Sequence, residues 1–520
     1  MVASSHTTYQ RFKSPLRVVV GFLFRSRERL KSKLLEKEEL LRETNQLRRA
    51  SEERERELQK QVDEQALRLK AQEQEIEELR EAAVCLPQDP KLPYHSFGPK
   101  MISMCCNLAS TVGFRAAEKA LEVMWEFFEV DSKPPSFETI RTWLMRAGIA
   151  RLKFNQEKAK NGATIWFVDH SCKVGKEKVL AILGIRLDDL PPPGEPLKHE
   201  HLMTLLVATG ESWKRADVAQ HYQDLIQKIG APVAINSDEA VELQEPAAAV
   251  KSGKNRVLVQ TDPKHKLANI IKSVIGKDKR FEKFQTKLGQ TRRHTQQTEL
   301  SHFTPPKQKT KARFMNLQST LHWAAMALWH LSHSNSKARA GIPADRVNEK
   351  LGWLSRFSPD VAKWTRCLDV VGATLKYINE EGLSQGATRR LRAKLKTLNL
   401  CKTSQEVVKR TLAFIKESEK RLKALKLSAP RLPMSTEILE SAFGRYKQLE
   451  RQHSAGGFTS LLASFSTVLK PVTPEEVETA FAKVSTKDMR EWVRDQLGKT
   501  LQSKKNQAYA EWRNDKAAQQ

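Results

Sequence analysis

Asp169, Asp238 and Glu440 are three carboxylates placed where metal-dependent phosphodiester chemistry would need them. Asp169 ends an unbroken apolar run, Thr164-Ile165-Trp166-Phe167-Val168, and Asp238 ends another that starts at Pro232. Glu440 lies in a helical stretch running from Ser435 to Lys447. Two carboxylates at strand ends and a third on a later helix can converge on two Mg²⁺ ions, with Mn²⁺ as a substitute. Such a pair, roughly 3.5–4 Å apart, clamps the attacking and the leaving oxygen of a phosphodiester. Mg²⁺ suits the set because it takes oxygen ligands and keeps positions for water and phosphate. Asp169 would bridge both ions, Asp238 would bind one and Glu440 the other, and the ions would keep all three carboxylates charged.

Other acids nearby compete for these roles. Asp188 and Asp189 precede Pro191-Pro192-Pro193 and read as loop residues. Glu239 should point away from Asp238 on any extended backbone. Glu437 is the rival of Glu440, because residues at i, i+3 lie near one helix face. Lys447 follows Glu440 by two helical turns and could hold a phosphate, and Arg445 and Tyr446 add capacity for DNA contact. The alternative for this stretch is an ordinary surface helix with an acid–base pair.

The elements that must position these residues can be read along the chain. Residues 26–84 contain neither Gly nor Pro and form one long helix, with Val62, Leu69 and Ile76 at heptad spacing, Leu79 beside Ile76, and Leu40 and Leu47 in another register. Gln65 and Gln72 interrupt that seam, so a weakly specified coiled coil competes with a solvated single helix. A basic segment, 1–25, precedes it, and residues 85–155 read as a helical DNA-binding domain. Within that domain Ser136 can cap a helix whose inner face is Ile140, Trp143 and Leu144. Arg141 and Arg146 then lie on the outer face, where a helix-turn-helix would read a major groove.

From residue 162 the period changes. Ala163–Asp169, Lys178–Leu187 and His201–Gly210 are strand-like, Lys214–Gly230 is an amphipathic helix, and Pro232–Ser237 and Val257–Gln260 are further strands. This order predicts an α/β RNase H-like core with a mixed five-stranded sheet, its first strand central and buried. The core would span 160–270 and resume at 433–470 with the helix bearing Glu440. Residues 271–432 form a large all-α insertion, and 471–520 a polar helical tail.

Lys and Arg number 89 against 61 acids, a formal net charge of +28, which points to a polyanionic partner. No run is apolar enough to span a bilayer, and Val18–Phe24 is too short. The expected location is therefore the cytoplasm, at the nucleoid. Six cysteines form neither a disulfide framework nor a zinc spacing.

At the level of motifs the chain resembles a DDE transposase of a bacterial insertion sequence, over about 160 to 450. The spacing Glu440-x6-Lys447 is similar to the Glu-x6-Lys part of that family's signature, although Pro433 and Thr436 stand where the fuller signature has Tyr and Arg. Asp262-Pro263-Lys264-His265 resembles the Cys/Asp-x2-His element that follows the fifth strand in relatives with a helical insertion. The resemblance makes Asp238 the second catalytic Asp, with Asp262 its runner-up. It puts His265 and Lys266 among the DNA-binding residues, while the other reading of His265 is a polar residue at a helix start. It also implies double-stranded DNA as partner, both as terminal inverted repeats and as target. A homodimer or higher oligomer on DNA would cleave and rejoin strands there. A helical insertion in such enzymes can stack an unpaired base on an aromatic ring. Trp353 and Trp364, near Arg356 and Lys363, are the candidates, with core packing the alternative; Trp323 and Trp329 read as core. Two competing functions are an RNase H-fold nuclease or resolvase without strand transfer and a non-catalytic coiled-coil DNA-binding protein.

Overall fold

A computed structural model describes residues 16–84, 89–160, 162–174, 177–252, 255–308, 313–333, 341–424, 431–451, 458–497 and 501–518. The chain divides into two units, Met1–Gln88 and Asp89–Gln520. The first is a single helix, α1 (Leu16–Val84), which starts at Leu16 rather than at residue 26. Val62, Leu69 and Ile76 are exposed along it. The side chains of Leu40, Leu47 and Leu79 lie outside the described residues.

The second unit opens with α2 (Pro99–Val112), α3 (Phe114–Phe127) and α4 (Phe137–Ala159). It continues with β1 (Thr164–Val174), β2 (Glu177–Arg186), β3 (Met203–Gly210), α5 (Arg215–Ile229), β4 (Ala234–Ser237) and α6 (Val241–Ala249). A two-residue pair, β5 (Lys251–Ser252) and β6 (Asn255–Arg256), precedes β7 (Leu258–Thr261). The main sheet has the order β3-β2-β1-β4-β7. β1 pairs antiparallel with β2 and parallel with β4, β2 pairs antiparallel with β3, and β4 pairs parallel with β7. This is the mixed five-stranded sheet with a central first strand that the sequence predicts.

Burial explains the apolar content of β1. Ile165 and Phe167 belong to one core, Trp166 and Val168 to the core on the opposite face, and all four are fully buried. A strand covered on both sides has no solvent face on which polar residues could alternate. Beyond the sheet come α7 (Pro263–Ile275), α8 (Lys279–Thr295), α9 (Leu317–Ser332), α10 (Ala344–Leu351), α11 (Ser358–Glu381), α12 (Ala387–Lys396) and α13 (Lys402–Ala424). Their apolar sides join the Ile165/Phe167 core, so the insertion is packed onto the sheet. α14 (Glu437–Arg451) lies over the same face through Leu439, Ala442, Phe443 and Tyr446.

The helical region before the sheet departs from expectation. α4 is capped by Ser136 as its sequence predicts, but it is buried on nearly every side from Trp143 to Leu152. A 3₁₀ run (Ser460–Val468), α15 (Pro474–Lys483) and α16 (Thr486–Leu497) close over it; α17 (Leu501–Ala518) comes last. Leu461, Val472, Val477, Ala480, Val484 and Met489 share one core with α2, α3 and α4. Residues 471–497 are thus part of this core, and among the described residues the polar tail is confined to α17. The approach is close: a Cβ on Gly148 would collide with the Ala463 carbonyl oxygen. Cys105 and Cys106 are buried here as unpaired thiols, and burial pushes the Cys105 thiol up to about 12.

Candidate active site

Parallel pairing sets the first two carboxylates side by side. Val168 is the register partner of Ser237, so Asp169 and Asp238 follow where the β1–β4 pairing stops; β1 itself runs on to Val174 with Asp169 opposite Ala181 of β2, so Asp169 does not end its strand as the sequence predicts. Asp169 is buried and its Oδ1 accepts a hydrogen bond from the His170 amide at 2.6 Å. Asp238 turns the chain, accepting from the Ala240 amide at 2.9 Å. Asp169 has the strand parity of Ile165 and Phe167, the face that α14 covers. Two residues before Asp238, the Asn236 side-chain Nδ2 donates to the Pro433 carbonyl at 2.7 Å, tying β4 to the segment that leads into α14.

Asp262, the runner-up for the second Asp, is engaged as a structural anchor. It is 1% exposed, and all its acceptor capacity is taken up within the fold. Its Oδ1 accepts from the His265 amide at 3.0 Å, capping α7, and lies 3.2 Å from His265 Nδ1. Its Oδ2 accepts from the Thr436 amide and hydroxyl at 2.7 and 2.9 Å. One carboxylate therefore fixes the starts of both α7 and α14. Burial pushes the Asp262 carboxyl up, but the hydrogen bonds from His265 and Thr436 outweigh it and hold the group below the usual carboxylate range. The Asp-Pro start of α7 was legible as a cap followed by Pro at the first helical position. Pro433 and Thr436, where the transposase signature has Tyr and Arg, carry these anchoring contacts.

His265 is thus the residue at the helix start that its alternative reading describes. Its hydrogen bond to Asp262 raises its pKa against the effect of burial, and the charges of Asp262, Asp238 and Glu440 add to the rise. Asp238 and Glu440 therefore both act on one imidazole. Lys264, which sequence reasoning did not single out, reaches both acids of α14: its Nζ stands 2.9 Å from Glu437 and 3.3 Å from Glu440. Burial lowers the Lys264 pKa, but the bonds and charges of Glu437 and Glu440 raise it further. Lys266 pairs with Glu239 at 2.8 Å. Glu239 is accordingly directed to α7.

Among the described residues no three His, Cys, Asp or Glu side chains gather into a set that could hold a metal ion. The converged triad expected from the sequence is therefore not formed as a ready cluster, and Glu440 is paired with Lys264. Asp169 and Asp238 offer carboxylate oxygens, the donor type that a hard divalent cation takes.

The outlying DNA-binding expectations fare differently. Arg146 is 7% exposed and faces inward, donating to the Val484 and Phe481 carbonyls at 2.9 and 3.1 Å and lying over the Phe481 ring. Burial lowers its pKa. Arg141 bonds Glu138 at 2.9 Å and Ser460 at 2.5 Å, so it too serves the closure of this region. A recognition helix needs a free face, and α4 has none to offer at Arg146. Trp364 is 0% exposed and half-buried Trp353 donates to Thr291 at 2.8 Å; with Phe281, Phe284 and Phe357 they form an aromatic cluster in which Trp364 has no face free for a base. Trp323 is buried as expected, whereas Trp329 is 53% exposed and stacks on His333 with ring centroids 4.4 Å apart. On α14, Arg445 is exposed and Lys447 half-buried, while Tyr446 is buried with its hydroxyl on Glu450 at 2.5 Å.

No protein-family model and no curated protein matches the chain. Among solved structures it is similar to the Drosophila P element transposase strand transfer complex, with 12% identity and a TM-score of 0.35, over 82% of this chain and 99% of that one. Among the described residues no helix is long and apolar enough to cross a membrane.

Proposed function

We propose that this chain is a DNA transposase with an RNase H-like core, cleaving at element ends and joining the freed 3′-hydroxyl to target DNA. The observation that carries the reading is the juxtaposition of Asp169 and Asp238 at the ends of a parallel strand pair, beneath the helix that bears Glu440. The net charge of +28 supplies attraction for a polyanion.

In this reading Asp169 and Asp238 hold divalent cations, and Glu440 completes the set. Two bound Mg²⁺ ions would stabilise the charge that develops on the attacking and leaving oxygens. The chain's own residues do the positioning. Asp262 locks α14 against α7, Asn236 locks it against β4, and the buried β1 keeps Asp169 from shifting with solvent. Arg445 and Lys447 lie further along α14, where they can neutralise phosphates, and Lys266 can do so from α7. The spacing of Glu440 and Lys447 is what favours an insertion-sequence type of element. Joining two ends to one target takes two active sites, so the working form on DNA is a homodimer or larger, with α1 as the contact between free chains.

The test uses duplexes taken from the DNA that flanks the gene. Wild-type protein with Mg²⁺ or Mn²⁺ should nick the element end and give joined products. Asp169→Asn, Asp238→Asn and Glu440→Gln should each lose about 10³-fold or more in cleavage, the loss expected when several kcal/mol of charge stabilisation disappear. DNA binding should persist in all three. Near-normal cutting by a variant removes that residue from the site, and cutting without joining makes the protein a nuclease.

A further inference from the structure

We propose that the outer face of α12, formed by Arg389, Arg392 and Lys396, is a contact surface for the phosphate backbone of double-stranded DNA. This rests on the reading of DNA as the partner of the chain, and it depends neither on the three carboxylates nor on a metal ion.

In its 10 residues α12 carries five Lys and Arg and no acid. Two of the five are used inside the fold. Arg390 donates to the Tyr377 hydroxyl, the Gln385 carbonyl and the Ser384 hydroxyl at 3.3, 3.1 and 2.5 Å. Lys394 lies 3.7 Å from Glu380 and over the Tyr377 ring. Arg389, Arg392 and Lys396 are placed differently. They recur at i, i+3 and i+7, which gathers them on one stripe away from the buried Leu391 and Leu395. All three are exposed, and among the described residues none of them is paired with an acid. By contrast, Arg410 pairs with Glu406 at 2.7 Å and Arg421 with Glu417 at 3.3 Å, each one turn back on α13, and Arg346 pairs with Glu299 at 3.0 Å. The α12 stripe therefore weakens its own helix, because like charges one turn apart repel. Arg389 adds to this from the first turn, at the positive end of the helix dipole. What holds α12 is α13, whose Glu419 accepts from the Gly386 and Thr388 amides and from the Thr388 hydroxyl. The fold thus secures the start of a short helix with a carboxylate and leaves three cations in line on its outer side. The stripe is about 10 Å long at 1.5 Å per residue, roughly the rise of three base pairs. Cations so spaced neutralise phosphates whatever the base sequence.

Any duplex therefore serves as probe. Full-length protein is titrated into a fluorescein-labelled duplex of random sequence, followed by anisotropy, from about 50 to 200 mM salt. The triple variant Arg389→Gln, Arg392→Gln, Lys396→Gln should bind about tenfold or more weakly at the low-salt end, and its slope of log K against log salt should fall by about three. A second triple variant, Arg346→Gln, Arg410→Gln, Arg421→Gln, removes the same charge from paired positions and should stay within about twofold of wild type. The urea midpoint of the α12 variant should equal or exceed that of wild type, because the repulsion along the stripe is gone. A clearly lower midpoint makes the three cations structural and overturns the proposal. Wild-type affinity and slope in the α12 variant overturn it too, as does an equal loss in both triple variants, which makes net charge alone responsible. In those cases wild type still binds the duplex, so the DNA reading stands. Failure of wild type to bind any duplex removes the DNA reading itself, and this surface with it.

Discussion

The end of the β1–β4 pair and the helix α4 share one sequence feature, polar residues placed next to an apolar run, yet the fold treats them in opposite ways. Around the β1–β4 pair Asp169 is buried, while Asp238 and Glu440 stay half-buried and their charges both act on one histidine. In α4 the basic residues are drawn inside. Arg146 is spent on the Val484 and Phe481 carbonyls. Arg151 donates to the Ser466, Lys470 and Pro471 carbonyls and to Glu476. The insertion repeats the second pattern with its aromatics. Charge on a helix of a strongly basic protein is therefore no guide to where DNA binds until the helix's neighbours are known. A buried guanidinium that satisfies several carbonyls at once serves as a clamp between distant segments.

That contrast can be broken in three ways. The largest effect is expected in the aromatic core. Trp364→Ala should cost about 3–5 kcal/mol, the usual range for emptying a core site of an indole, read as a lower urea midpoint. A variant that keeps its stability and loses only cleavage would return Trp364 to the DNA-contact role. Next is the arginine clamp. Arg146→Ala should destabilise by about 2–3 kcal/mol through lost charge-assisted hydrogen bonds, while folded protein binds DNA with an unchanged salt slope. A slope reduced by about one would mean that Arg146 contacts a phosphate after all.

The smallest effect is a pH dependence on the acidic side of the comparison. His265 has a pKa raised above its ordinary 6.5 in the fold. Its protonation therefore contributes stability fully below pH 6.5, and that contribution fades as pH rises through the raised value. The melting temperature of wild type relative to His265→Gln should be highest near pH 5.5–6 and fall toward pH 8–9. A difference that grows with pH would show that His265 is held neutral. Asp262 works in the other direction: its lowered pKa gives stability that is lost only as pH falls through the acid range.

How much of this was legible differs by element. Strands with a fully buried centre announce themselves, because Thr164–Val168 and Pro232–Ser237 have no polar face to offer solvent; Asp238 does follow β4, whereas β1 runs on past Asp169 to Val174, where the sequence turns polar. The helix start at Ser136 was equally plain from its capping chemistry. Where α4 would be buried was not, since the residues that cover it, Leu461 to Met489, lie over three hundred positions away. The tryptophans show the same limit. Trp329 sits among Leu, Ala and Met and is exposed, while Trp364 has Lys363 beside it and is fully buried. Neighbours in sequence do not determine which side of a helix meets another element.

By itself the amino-acid sequence determined the long α1 helix and the alternation of strands and helices through the core. These depend on local pattern: absence of Gly and Pro, apolar runs of strand length, and polar residues where those runs stop. Tertiary structure alone decided that Asp262 would be an anchor, that Lys264 would span Glu437 and Glu440, and that Arg146 would face inward. Each of those outcomes is a contact between segments more than a hundred residues apart. The energy of such a contact comes from burial and from pairing with a partner whose position only the folded chain defines.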